Sequence, residues 1–384
     1  VSMIEGMKKR IAAITPIIKQ DGFMKFQQFS EKFFERYYSN CKFQKEEQFE
    51  FESWIQNAPY TLARKRELCM VYEAIDPNLI PDTTVKIFSK DESYMEYKYP
   101  RGIYSRSDEY KVLVGPYFKK LGDRVFSLPQ FIKHVPVADR PQYLLKKLNV
   151  VGYRKFFTDY SSYEASFVLQ VMRVRTGFYR WTLSEHPQKK LFEKRFLVQE
   201  GKNKLIHKCV TAEIKVKVMS GEMDTSVGHC VINDAVQAFV CCEMNHNDID
   251  HFMDHHTIEG DDNAAALLEL PNEQHYADLG FIVKIESSAN VEDLEFCGLI
   301  FDVVDQKIIS SPQKAVLNFG YTTMRYATAG VQIHNSLLRA KSLSYLYTYP
   351  CCPILTALAK YGIRVTSQTD SYYDSHLDSY KRTE

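Results

Sequence analysis

Residues 257–266 read TIEGDDNAAA. The adjacent carboxylates Asp261 and Asp262 follow a glycine and lead into small or apolar residues. Like charges side by side repel, and a carboxylate is costly to bury without a compensating positive group. Gly-Asp-Asp-Asn is also ordinary turn chemistry, and alone it would cap a hairpin in water. A further carboxylate changes the balance. FFTDY (156–160) reads as a short apolar strand ending in Asp159. If that strand neighbours the hairpin, Asp159 and Asp261 meet at strand ends. Such carboxylates can hold two Mg²⁺ ions ~3.5–4 Å apart, the arrangement that clamps attacking and leaving oxygens in phosphoryl transfer. Mg²⁺ takes hard oxygen ligands and keeps several waters, so one or two carboxylates plus substrate phosphates suffice.

Other residues compete for attention. SKDESYMEYKYPRGIYSRSDEYKVLVGPYFKKLGDR (89–124) is the most basic local region, dense in Lys, Arg and Tyr. Surface charge runs are common, so a solvated face is its simplest reading. In HNDIDHFMDHH (246–256), His251 and His255 are spaced to face one ion from a helix, but no Glu follows His251 as a zinc protease would require. A polar helix end ahead of the hairpin is the better reading. Cys241-Cys242 reads as buried apolar filling. Tyr60 and Thr61 read as a helix start.

These side chains need elements to place them. Residues 1–57 alternate apolar and charged positions at helical spacing, as in FQQFSEKFFERYY, and 60–72 continue so. VKIF (85–88) reads as a strand, 167–183 as a helix, and 204–218 as strand-like. AVQAFVCCEM (235–244) is helical, and 256–270 is strand–turn–strand. FIVKIE (281–286) and EFCGLIF (295–301) are further strands, and the pattern from Pro312 is helical again. Non-local strands from the central section must meet in one sheet. The last stretch, from Ser367, is a polar tail.

Composition sets the bounds. The chain has 384 residues, enough for two or three subdomains. Its 45% hydrophobic and 25% charged residues are ordinary for a globular protein. A net charge of +1 excludes a global basic footprint, so any nucleic-acid contact must come from a local patch. Nine cysteines without a CxxC pair or regular framework suit a reduced, intracellular chain. No apolar run approaches the ~20 residues of a membrane span. VSMIEGMKKR has no signal-peptide apolar stretch, and its lack of an initiator Met suits a piece of a longer polypeptide.

FTDYSSYEASF (157–167), SGEMDTSVGHCVIND (220–234) and IEGDDNAA (258–265) occur in that order. They resemble motifs A, B and C of the palm of viral RNA-dependent RNA polymerases. SGEMDTSVG is most similar to the tombusvirus-like group of positive-strand RNA viruses, and DYSSYEAS is also similar to picornavirus-like polymerases. Upstream, FSKDE (88–92), Lys98 and PRGI (100–103) resemble motif F, and APYTLARKREL (58–68) resembles motif G. Downstream, ADLGFIVKIE (277–286) resembles motif D and LEFCG (294–298) motif E.

The resemblance implies an α+β right-hand polymerase with an antiparallel palm sheet flanked by helices. Fingers would be 1–150 with an insertion at 170–215, palm 151–169 and 216–301, and thumb 302–384. It implies Asp159, Asp261 and Asp262, with the Tyr160 carbonyl, as ligands of two Mg²⁺ ions, Mn²⁺ being an alternative. Lys90, Lys98 and Arg101 would neutralise the triphosphate, with Arg106 a further candidate and Glu92 orienting one of the cations. Ser220 and Gly221 would form a loop against template or nascent pair. Asp224 and Thr225 would join the network that checks the ribose. Partners would be single-stranded RNA template, nascent RNA, ribonucleoside triphosphates and other viral replication proteins. The site of action would be the host cytoplasm, at membrane-associated replication complexes.

Two positions depart from the family. Glu164 stands where it usually has a second motif A aspartate, and His229 where motif B usually has asparagine. Both bear on the 2′-OH that distinguishes RNA from DNA. Glu keeps the acceptor with a longer arm, His can donate or accept, and Asn233 lies one helical turn further on. Lys284 is the nearby motif D lysine but falls on the expected strand. A reverse transcriptase and a non-catalytic RNA-binding scaffold are the rival readings. Gly260 and the polar Glu164 argue against the first, the intact carboxylates against the second.

Overall fold

A computed structural model describes residues 2–90, 97–208, 210–323, 326–349 and 352–369. Its described strands form three sheets. The first joins β1 (Thr84–Ser89) and β2 (Gly102–Arg106) to β4 (Lys202–His207) and β5 (Val210–Lys215), in the order β2-β1-β4-β5. The second, central sheet has β3 (Arg154–Tyr160) between β7 (Asp262–Leu267) and β8 (Val283–Ser288), with β6 (His256–Glu259) at the edge beyond β7. The third is a short meander of β9 (Glu295–Phe296), β10 (Leu299–Asp302) and β11 (Lys307–Ser310). All pairs are antiparallel except β1 with β4. The class is α+β.

The buried run Lys155, Phe156, Phe157 and Thr158 of β3 reflects burial on both faces. Phe156 and Tyr160 point into the main core, with Ala265 and Leu267 of β7. Phe157 points into a smaller core with Ala264, Phe296 and Phe301. Each fully buried Phe or Leu of this kind contributes about 1.5–3 kcal/mol. The helix Thr225–Ala238 lies under the first of these faces and is almost wholly buried. Gln237 Nε2 ties it to the sheet through Thr158 Oγ1 at 3.1 Å and Tyr160 Oη at 3.1 Å. Cys241 and Cys242 are core packing, as the sequence suggests.

Several expectations need correcting. The strands do not meet in one sheet. The run 204–218 is a hairpin, because Lys208 turns through a left-handed φ of 48°. EFCGLIF is likewise a hairpin: Cys297 (φ 53°) and Gly298 (φ 78°) reverse the chain between β9 and β10. Among the described residues of the first 57, α-helix covers Ser2–Lys9, Gln20–Tyr37 and Phe51–Asn57, with a short 3-10 helix at Ser39–Cys41. Within the basic region, Asp108–Phe126 is a helix with most of its residues buried. The helix Arg140–Leu148 packs on β6, β7 and β11. Toward the C-terminus, Pro312–Asn318, Val331–Thr348 and Pro353–Val365 are helices, the last two packed together. Among the described residues no helix is long and apolar enough to cross a membrane.

Candidate active site

The hairpin β6–β7 reverses through Gly260 and Asp261. Gly260 supplies a φ of +68° at the first central position, where primed hairpin turns require it. This puts Asp261 at the tip, with Glu259 paired across to Asp262. Thr158 pairs with Asn263, so one step further along the ladder Asp159 comes abreast of Asp262. On its other side Asp159 pairs with Lys284. Three carboxylates from non-local segments thus gather at one end of the central sheet. Asp159 and Asp262 line a cavity of about 370 Å³ with Glu286, Glu295, Cys297 and Gly298.

The hairpin tip is held from below. Asn233 Nδ2 donates to the Gly260 carbonyl at 3.1 Å and to that of Asp262 at 3.4 Å. Its Oδ1 accepts from Tyr160 Oη at 3.1 Å. The Gly260 amide donates to Cys230 Sγ at 3.2 Å. Asn233 therefore ties the Asp261 turn to the Asp159 strand. It is fully buried with both ends of its amide engaged, which corrects the expectation that it reads a ribose. Its position on a buried helix face was the only sequence signal for this role.

The local charge is unbalanced. Asp261 opens to solvent at the tip of a crowded cleft. Desolvation pushes its carboxyl up, with Glu164 and Asp159 adding to the rise, against its own backbone amide and Arg101. Asp262 is pushed up to about 6, first by burial and then by Asp261, while a hydrogen bond from the Cys297 thiol pulls it down. Among the described residues none of the three aspartates joins an ion pair. Carboxylate oxygens are the ligand type that a hard divalent cation takes, and Arg101 offsets part of the charge at Asp261. Among the described residues, however, no group of three or more His, Cys, Asp or Glu side chains is placed so that it could hold a metal ion.

The loop 219–224 is clasped to β2 and to buried helices. Ser220 Oγ donates to the Gly102 carbonyl at 2.8 Å. A Cβ on Gly221 would lie 2.7 Å from the Tyr104 carbonyl oxygen, so only glycine fits. Thr225 Oγ1 donates to the Met219 carbonyl at 2.7 Å and accepts from the Glu222 amide at 3.1 Å. Beneath lie two buried ion pairs, Arg106 with Glu222 and Arg175 with Asp224. Arg106 Nε is 2.6 Å from Glu222 Oε1, close in charge but without an aligned hydrogen bond. Burial pushes Glu222 up to about 7 against the pull of Arg106. Asp224 also accepts from Tyr179 Oη at 3.0 Å and Gln199 Nε2 at 3.2 Å. One expectation is corrected here: Arg106 is buried and paired with Glu222 rather than free to meet a triphosphate. Asp224, expected in a network beneath the ribose, is buried among Arg175, Tyr179 and Gln199.

Lys90, Lys98 and Arg101 are exposed, Lys90 and Arg101 lying just beyond the paired Ser89 and Gly102 of β1 and β2. The Lys90 amide donates to the Arg101 carbonyl at 2.8 Å. Arg101 is near enough for its charge to pull the Asp261 carboxyl down. Glu92 lies outside the described residues. Glu164 sits in the short turn Tyr163–Ser166 beyond β3 and pairs with Arg10. His229 packs between Tyr163, edge-on, and Phe167, tilted, with ring centroids at 5.1 and 5.0 Å. Its Nε2 is enclosed without a hydrogen-bond partner, and burial lowers its pKa to about 3. It is a packing residue, which corrects the expected sugar contact. Lys284 is exposed and paired with Glu286.

The lesser candidates fall as expected. Thr61 caps the helix Leu62–Ala74. His251 and His255 meet with their rings tilted at 4.4 Å, in and just after the helix Ile249–Asp254, and His255 Nδ1 lies 3.0 Å from the Lys147 carbonyl.

The chain is similar to the RNA-directed RNA polymerase of Tobacco necrosis virus (strain D), with 32% identity over 126 residues. That similarity covers 29% of this chain and 17% of the viral protein. No model of a known protein family matches the chain.

Proposed function

We propose that this chain is the catalytic core of a viral RNA-directed RNA polymerase, built as a right hand. The observation that carries the reading is the convergence of Asp159, Asp261 and Asp262 at one end of the central sheet. The similarity to the Tobacco necrosis virus polymerase supports it. In this reading 151–169 and 216–301 are palm, 1–150 and 170–215 fingers, and 302–384 thumb.

Asp159, Asp261 and Asp262, with the Tyr160 carbonyl, would hold two Mg²⁺ or Mn²⁺ ions. Such ions, when bound, activate an attacking hydroxyl and offset charge on a leaving phosphate. The chain's own residues do the rest. Arg101, with Lys90 and Lys98, binds the triphosphate of the incoming ribonucleotide, Arg with bidentate geometry. Glu164 accepts from its ribose. The loop at Ser220 and Gly221, fixed to β2, presents backbone to the nascent pair. The primer 3′-OH attacks the α-phosphate and pyrophosphate leaves. The protein contributes position and charge, and RNA is held mainly through its backbone.

The test is incorporation of labelled UTP by the purified chain on single-stranded RNA, with and without Mg²⁺, beside Asp261→Asn. Mg²⁺-dependent product of template length, lost in the variant, is the expected result. RNA binding without incorporation, primed or unprimed, would favour a non-catalytic scaffold.

A further inference from the structure

Residues 2–19 lie across the molecule as a strap. The helix Ser2–Lys9 packs on β2, and Ile11 is buried with Val85, Ile87, Tyr104 and Met219. Gly6 rests on Pro100, where a Cβ would meet the carbonyl oxygen at 2.3 Å. Further along, the Lys19 amide donates to the Asp278 carbonyl at 2.9 Å, and its ammonium pairs with that carboxylate at 3.0 Å. Between these anchors the strap crosses the turn after β3. Ser162 Oγ donates to the Lys9 carbonyl at 3.3 Å, and Arg10 Nε lies 3.3 Å from Glu164 Oε1. Both partners are largely enclosed, at 33% and 20% side-chain exposure.

Glu164 has a long arm, and the chain before it is fixed by Ser162 in a left-handed turn (φ 56°). The backbone is thus held and the carboxylate is the remaining freedom. Among the described residues Arg10 pairs with Glu164, and Lys217, which donates to the Ala165 carbonyl, also feels its charge. Asp261 lies within range of its repulsion.

We propose that Arg10 is a positioning residue for Glu164, and that through this pair the N-terminal strap sets the choice between ribo- and deoxyribonucleotides. The inference rests on the polymerase reading. A carboxylate aimed at a 2′-OH discriminates only while its direction is fixed, because an arm that swings gives up the hydrogen bond that the ribose adds.

The experiment compares kcat/KM for ATP and 2′-deoxy-ATP in the wild type, Arg10→Gln, Arg10→Lys, Glu164→Gln and the Arg10→Gln/Glu164→Gln double variant. Arg10→Gln should lower the ATP preference about tenfold, the worth of one charge-assisted hydrogen bond, chiefly through ATP. Arg10→Lys should recover part of it, and the double variant should be no worse than Glu164→Gln. Equal losses for both nucleotides, or an unchanged ratio in an active Arg10→Gln, would overturn the inference and leave the polymerase reading standing. A wild type that incorporates neither nucleotide would sink both. Should Arg10→Gln fail to fold, Arg10→Lys against Glu164→Gln carries the same ratio test.

Discussion

Removing the Asp224 carboxylate should unfold the chain earlier without changing which sugar it accepts. Asp224 and Arg175 are 0% and 1% exposed, so neither charge has water to fall back on. Asp224→Ala leaves the Arg175 guanidinium buried and uncompensated, and also strips an acceptor from Tyr179 and Gln199. Breaking one side of a buried pair costs about 3–5 kcal/mol. Unfolding entropy is about 2.1 cal/mol/K per residue, so for a cooperative transition of 384 residues the melting temperature falls by roughly 4–6 °C. Asp224→Asn, which keeps shape and one acceptor, should lose less. Arg175→Met on the Asp224→Ala background should regain part of the loss, because two apolar side chains no longer bury a lone charge. The assay is a thermal melt by circular dichroism, with the ATP to 2′-deoxy-ATP ratio measured on the same preparations. A melt within about 1 °C of wild type together with a changed ratio would refute the reasoning and assign Asp224 to sugar selection rather than stability.

Three further outcomes are expected. Asn233→Ala removes the link between the Asp261 turn and Tyr160, so it should cost about 1–3 kcal/mol in urea unfolding and reduce turnover more than nucleotide KM. Gly221→Ala must push the loop off the Tyr104 carbonyl, so turnover should drop by tenfold or so, while RNA affinity by filter binding stays near wild type. His229 has a folded pKa of about 3 against an unfolded value near 6.5. Between those values the unfolded chain binds the proton and the folded chain does not. Its contribution is therefore complete above pH 6.5 and lost as pH falls, by about 1.4 kcal/mol per unit. Urea midpoints at pH 7 and pH 5 should differ less in His229→Leu than in wild type, and an identical difference would exclude His229 as the source.

The placement of the candidate side chains was legible where it is written in contiguous residues. FTDY, GDD and the SGEMDTSVG loop place their own side chains through local strand, turn and helix-start geometry. What the sequence hid was pairing at a distance. Asp224 looks like a loop carboxylate until Arg175, 49 residues earlier, is seen against it. Arg106 sits in a basic run, and nothing in that run says Glu222 will bury it. In EFCGLIF the apolar spacing of a strand masks a reversal at Cys297 and Gly298. Asn233 was noticed for its register with His229, but its partners, Gly260 and Tyr160, come from two other elements. The strap at 2–19 gave no sign of function, since its helical alternation is indistinguishable from that of any packed helix.

The central claim is that carboxylates at the end of the central sheet support templated ribonucleotide addition. Extension of a labelled RNA primer by one nucleotide, on four templates that differ only in the templating base, tests it most directly. With Mg²⁺, each template should direct its complementary ribonucleotide, and Asp159→Asn should reduce the rate at least about a hundredfold. Primer bound but not extended in Mg²⁺ or Mn²⁺, or extension that ignores the template or survives Asp159→Asn, would contradict the account.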